Sequence, residues 1–448
     1  MKLARVVLMA CVVLSLLVAV VFGTAGATKP VTISMVYWPG PEAEAMEKVV
    51  KYYNEKISPK SGVKVEMVLF GREGFFEKEA TMMAARSSDV DLYFTCSYIV
   101  GQHAPYLETL NDYFAKTKIE GGGLENILPV CVDAMTVDGQ VKGLTLDASI
   151  NLLLYRKDLI NRLLTDKEWQ AKYQEISKRE LGKALTPKQP TEWNWDDFMA
   201  TALFLSKAHN PDSPTEYGTA LQAKNMWPNG KVWSAVLRSM GGSWFDDKGK
   251  PAFNSPKAIA ALKLYADLVK KDASPKACIN YEYTEPNEAF KSGRVALLLQ
   301  WGVAYNELSN KEVSPLVWDK VGIAPHPGER HVVWLTSMGV GVNKFSKNKE
   351  AALKWLGFLT TTEAMKIYGE SGGVPPVAEV LTGLSAKNPY FGYAKDYLAK
   401  YAFSEKAKDK TVDVLRVLAK YVSAVSGGQI DPETAAGRIQ KEVEDLLK

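Results

Sequence analysis

Between residues 31 and 95 the apolar spacing switches back and forth between two periods, and no other feature constrains the chain as much. Val31, Ile33, Met35 and Tyr37 alternate with more polar neighbours, as a strand does; Met46, Val49, Val50, Tyr53 and Ile57 then recur at helical spacing. Val63, Val65, Met67 and Leu69 return to period two, residues 75–86 read as a second helix, and 90–95 is a short apolar run. The order β-α-β-α-β predicts a parallel sheet with right-handed crossovers, hence an α/β fold. In open sheets of this kind a ligand lies beyond the carboxyl ends of the strands. Those ends carry Trp38-Pro39-Gly40, Phe70-Gly71-Arg72-Glu73 and Thr95-Cys96-Ser97-Tyr98.

Ahead of this alternation, Lys2 and Arg5 precede an apolar run over residues 6–22, and Thr24-Ala25-Gly26-Ala27 supplies a small-x-small end. This is the pattern of a secretory signal, residues 1–27, cleaved after Ala27. Left uncleaved, the run is close to the length that spans a bilayer and would serve as an anchor. Either way the bulk of the 448 residues is expected to be exported. Loss of Lys2 and Arg5 leaves 53 basic against 51 acidic residues, which gives no electrostatic case for nucleic acid. The remaining Cys96, Cys131 and Cys278 contain no C-x-x-C and allow at most one bridge, so buried thiols are expected. The four histidines have no paired-ligand spacing, and no metal site is expected.

Helices further on are well punctuated: Ser255-Pro256 opens one to Lys271, Ser346 opens another to Leu359, and Asp431-Pro432 opens the last. The last sets Ala436, Ile439, Val443, Leu446 and Leu447 on one stripe, which predicts a docked terminal helix. Residues 161–190, with Trp169 and Tyr173, read as a charged excursion on the surface.

Several segments, taken in order, carry a resemblance. They are Gly143-Leu144-Thr145 with residues 151–160 (NLLLYRKDLI), residues 192–208 (EWNWDDFMATALFLSKA), 253–274 with 289–296 (AFKSGRVA), 346–352 (SKNKEAA) and 372–376 (GGVPP). Together they resemble the extracellular sugar-binding proteins of ABC importers, solute-binding protein family 1, whose familiar relative is maltose-binding protein. The resemblance implies a periplasmic-binding-protein-like type II fold, with two Rossmann-like α/β lobes joined by three hinge crossings near residues 146–150, 318–322 and 360–363. The first lobe would hold residues 28–147 and 321–360, the second 148–320 and 361–448. It further implies a monomer in the periplasm or on the outer face of the membrane, which closes on a neutral sugar or oligosaccharide and delivers it to membrane permease subunits, with no cofactor.

Carbohydrate is read by aromatic faces that stack on the sugar ring and by polar groups that bond its hydroxyls. Among the eleven tryptophans, Trp38 follows the first strand and Trp334 lies near a crossing. Trp301 stands after the apolar run 295–299 and before Gly302, where backbone can approach a ligand. These three are expected to contact ligand, as is Tyr98. Trp227 sits with Trp233 and Trp244 in a Gly- and Pro-rich stretch and is the second lobe's candidate. Asp147 and Ser149 follow the first crossing and Glu73, beside Arg72, the second strand; these are the expected polar contacts. Trp169, Trp193, Trp195 and Trp355 are assigned to packing. A secreted glycoside hydrolase would share the signal, the tryptophans and the carboxylates. However, strand and helix do not repeat eight times as in a barrel, and the chain has no G-x-S-x-G elbow, Walker loop or G-x-G-x-x-G. Gly339-Val340-Gly341 is a lone G-x-G within a strand. A binding protein rather than an enzyme is therefore expected.

Overall fold

The computed structural model describes residues 30–71 and 74–448; the signal, Arg72 and Glu73 lie outside them. Strands β1 (Val31–Tyr37), β2 (Val63–Leu69) and β3 (Leu92–Cys96) are linked by the helices Pro41–Tyr52 and Phe75–Ala84. β1 pairs in parallel with β2 from Val31↔Val63 to Tyr37↔Leu69, and with β3 at Met35↔Leu92, as the periodicity predicts. Pro41 opens the first helix, which turns Ala43, Met46, Val49 and Val50 onto the sheet.

A small hairpin, β4 (Thr136–Val137) and β5 (Gln140–Val141), leads into β6 (Leu144–Arg156). The rest of the sheet is β7 (Leu297–Trp301), β8 (Val321–Ala324), β9 (Val333–Val342) and β10 (Ala402–Phe403). The strand order is β2-β1-β3-β9-β6-β7, with β8 also on β6 and β10 on β9. β9 runs antiparallel to both β3 and β6, so β6 and β9 carry one hydrogen-bonded ladder through the middle of the molecule. Close approach there explains the glycines of the G-x-G: a Cβ on Gly339 would lie 1.8 Å from the Leu144 carbonyl oxygen, and one on Gly341 2.6 Å from that of Lys142.

β8 pairs with Leu153–Arg156 at the far end of β6, and β9 with Leu144–Asn151. The helix Thr362–Glu370 packs on Pro41–Tyr52, with the Tyr52 hydroxyl donating to Glu363 Oε1 at 2.5 Å, so residues 361–370 lie with the first strands. Residues 161–190 are no excursion: the helix Lys167–Leu181 docks Trp169 and Tyr173 on Phe204, with ring centroids at 5.1 and 5.8 Å.

Capping follows the sequence at Ser255, whose Oγ accepts from Ala258 N–H at 3.3 Å, and at Asp431, which accepts from Thr434 N–H at 2.8 Å. Ser346 instead donates to Asp91 at 2.5 Å, and its helix begins at Lys349. In the last helix, Pro432–Leu446, Ala435, Ala436, Ile439 and Val443 are buried against its neighbours while Leu447 is exposed. Cys96, Cys131 and Cys278 are buried, free thiols.

Candidate functional site

At the carboxyl ends of β1 and β3 the sheet faces a cleft of about 850 Å³. Its floor includes Ser149 of β6 and Thr336 of β9, which are register partners, and Met338. Its walls are aromatic from both sides: Trp38, Phe75, Phe76 and Tyr98 on one, Trp227, Tyr283 and Trp301 on the other.

Trp38, directly after β1, is half-buried, its ring 4.5 Å from Phe94 and edge-on to Phe75 and Phe76 at 5.6 and 5.9 Å. Tyr98 follows β3 and meets Trp227 across the cleft, with centroids 4.8 Å apart and planes tilted 48°. Trp227 opens the helix Trp227–Ser239. Trp301 is the last residue of β7, opposite Asn151, rather than a residue beyond the strand. Gly302 is required by the chain itself, since a Cβ there would lie 2.3 Å from the Tyr390 ring.

Two expected contacts lie elsewhere. Asp147 is buried beside the floor, where Oδ2 accepts from the Tyr368 hydroxyl at 3.0 Å and from Val374 N–H at 2.8 Å. Burial, and then the charge of Glu42, push its carboxyl up to about 7. Trp334 is buried between Trp244 and Phe403, at 6.0 and 5.3 Å. Both errors have one cause: side chains two apart on a strand share a face, so Asp147 shares a face with Ser149, and Trp334 with Thr336. Each stands one step along the strand, where other elements cover it.

The residue the sequence reading missed is Lys231, one helical turn after Trp227 and 5% exposed. Its ammonium stands 4.6 Å from the Tyr98 ring, 4.9 Å from Trp227 and 4.6 Å from Trp301, and donates to Thr336 Oγ1 at 3.3 Å. Burial lowers its pKa to about 8. The available signal was a lysine four residues after a tryptophan in a helix otherwise patterned for burial. Among the described residues, no group of His, Cys, Asp and Glu is placed to hold a metal ion, and no helix is long and apolar enough to cross a membrane.

Comparison with known proteins gives the site a context. The family model of bacterial extracellular solute-binding proteins matches residues 39–366. The mannitol-binding protein of Pseudomonas aeruginosa is 27% identical over 285 residues, a match that covers 63% of this chain and 57% of that protein's length. A probable ABC transporter-binding protein of Deinococcus radiodurans is 26% identical over 326 residues, covering 70% of this chain and 69% of its own. Among solved structures, maltose-bound MalE3 of T. maritima aligns with a TM-score of 0.75 at 26% identity, over 93% of this chain and 100% of the other. A solute-binding protein of Agrobacterium vitis with bound D-mannitol aligns at TM-score 0.69 and 21% identity, over 93% of this chain and 98% of the other, and shows the shared fold.

Proposed function

Since this chain belongs to the bacterial extracellular solute-binding protein family, we propose that it is the exported, monomeric binding component of an ABC importer, which holds a sugar or sugar alcohol between two lobes and delivers it to the permease. In this reading the lobes part at β6, β9 and the segment near Val374, supported by the pairing of β9 with both β3 and β6 and by the bond from Val374 N–H to Asp147 on β6.

The observation that carries this reading is the cleft itself: tryptophan and tyrosine rings on opposite walls, with short hydroxyl side chains between them. Aromatic faces take the C–H faces of a sugar, and polar groups at the floor take its hydroxyls. The mannitol-binding relative and the maltose-bound MalE3 structure make polyols and short glucans the first ligands to try.

A thermal-shift screen of sugars and polyols, with peptides as a comparison arm, tests this. A ligand at one hundred times its dissociation constant raises stability by about 2.7 kcal/mol, a readily measured rise in Tm. Stabilisation by peptides alone would reject a carbohydrate ligand.

A further inference from the structure

Lys231 is the one cationic side chain whose ammonium reaches rings from both walls of the cleft and a residue of its floor among the described residues. Burying an ammonium is costly unless hydrogen bonds and charge compensate it. Three ring faces offset part of that cost. Of its three N–H groups, one finds a hydrogen-bond acceptor among the described residues, Thr336 Oγ1. None of the ion pairs among the described residues involves it. The groups facing it at longer range are the Cys96 thiol on β3 and Glu282 ahead of the helix Thr284–Lys291, both favouring its charge. Glu42, Glu77 and Arg416 share the cleft wall, and Arg416 is paired with Asp413 at 2.9 Å. The obvious rival, Asp147, is committed elsewhere.

We propose that Lys231 is the polar anchor of the solute, donating its two remaining N–H groups to a pair of neighbouring ligand oxygens, either vicinal hydroxyls of a neutral sugar or the carboxylate of a sugar acid. This rests on the sugar reading above and names the group that executes it. The rings then orient the solute while the ammonium fixes which edge of it points at the floor.

Linkage supplies a signature that packing alone would not give. The free lysine titrates near 8, and acceptor oxygens raise that value in the complex, so binding draws in a proton at pH values above 8. Affinity is full below pH 8 and falls by up to about tenfold per pH unit above it.

The test uses the mature protein, Lys231→Met and Lys231→Arg, with glucose and glucuronate as a matched pair and maltose and D-mannitol beside them. Probes that raise the wild-type Tm are titrated calorimetrically at pH 7 and 9 in two buffers of different ionisation heat. Wild type should show weaker binding and proton uptake at pH 9. A folded Lys231→Met should bind about ten- to a hundredfold more weakly at pH 7 and show no proton uptake. Lys231→Arg, which keeps the charge, should lose the uptake and retain more of the affinity. Glucuronate binding above glucose identifies a carboxylate, and the reverse order a diol. A folded Lys231→Met with wild-type affinity overturns the proposal, and so does proton-neutral wild-type binding at pH 9, which decides the matter even if Lys231→Met fails to fold. No stabilisation by any probe would reject the sugar reading itself, and the anchor with it.

Discussion

Asp147 on β6 and Tyr368 in the helix Thr362–Glu370 are separated by 221 residues and meet with their oxygens 3.0 Å apart. The same carboxylate oxygen holds Val374 N–H, so one buried side chain ties β6 to two points of the segment 368–374, while the backbone of Asp147 stands in register with Met338 on β9. Its folded pKa, about 7, stands above the unfolded value near 3.9. Asp147 therefore contributes stability that is complete below about pH 4 and lost as pH rises through 7. His103 and His326, held neutral by burial with pKa values of about 3, act oppositely, adding stability as pH rises from about 3 to about 6.5 and no more above that. Asp147→Asn keeps an acceptor for both hydrogen bonds and removes the charge. Its Tm relative to wild type should rise between pH 5 and pH 8, as calorimetry at the two pH values would show; a constant difference would mean the carboxyl is not the titrating group.

Trp301→Ala should weaken sugar binding by about 1 to 3 kcal/mol, the range of an aromatic anchor. Trp355 is fully buried between Tyr53 and Phe358, at 4.8 and 5.8 Å, and its truncation should instead cost about 3 to 5 kcal/mol of stability. Titration calorimetry and a melting curve on both variants would separate the roles. Normal binding with a collapsed Tm for Trp301→Ala, and the reverse for Trp355→Ala, would exchange them.

The Tyr98–Trp227 contact joins opposite walls of the cleft. Ligand at saturation should reduce the radius of gyration in small-angle scattering, and Trp227→Ala, without that contact, should be more expanded in the free state. An identical profile with and without ligand would count against closure.

Gly339→Ala should abolish soluble folded protein, because the added methyl would sit 1.8 Å from the Leu144 carbonyl oxygen. Gly383→Ala, in the helix Ala378–Leu384 with no atom within 4 Å of a Cβ, should be neutral or raise stability by up to about 1 kcal/mol. Circular dichroism melts of the two glycine variants provide the contrast.

Prolonged incubation with maltose should leave the sugar intact. Chromatography showing glucose in molar excess over protein would assign the cleft to hydrolysis.

The alternation over residues 31–95 made the first three strands legible, since period-two and helical spacing are written in neighbouring residues. Trp38 and Tyr98 were legible for the same reason, as residues at strand ends. Asp147 and Trp334 were not, because which of two same-face positions on a long strand is roofed over depends on Tyr368 and Phe403, far away in sequence. Lys231 escaped because its role comes from rings on Tyr98 and Trp301 that only the fold assembles.

β3 has β1 on one edge, and on the other β9, whose residues 338–342 pair with residues 92–96. Until that distant stretch has been synthesised, the early β-α-β-α-β segment keeps an unpaired edge and an incomplete core. Contacts so remote in sequence delay consolidation. In a member of an extracellular solute-binding family, that order leaves the first βαβαβ unit open along one edge until the later part of the chain joins it and closes the sheet.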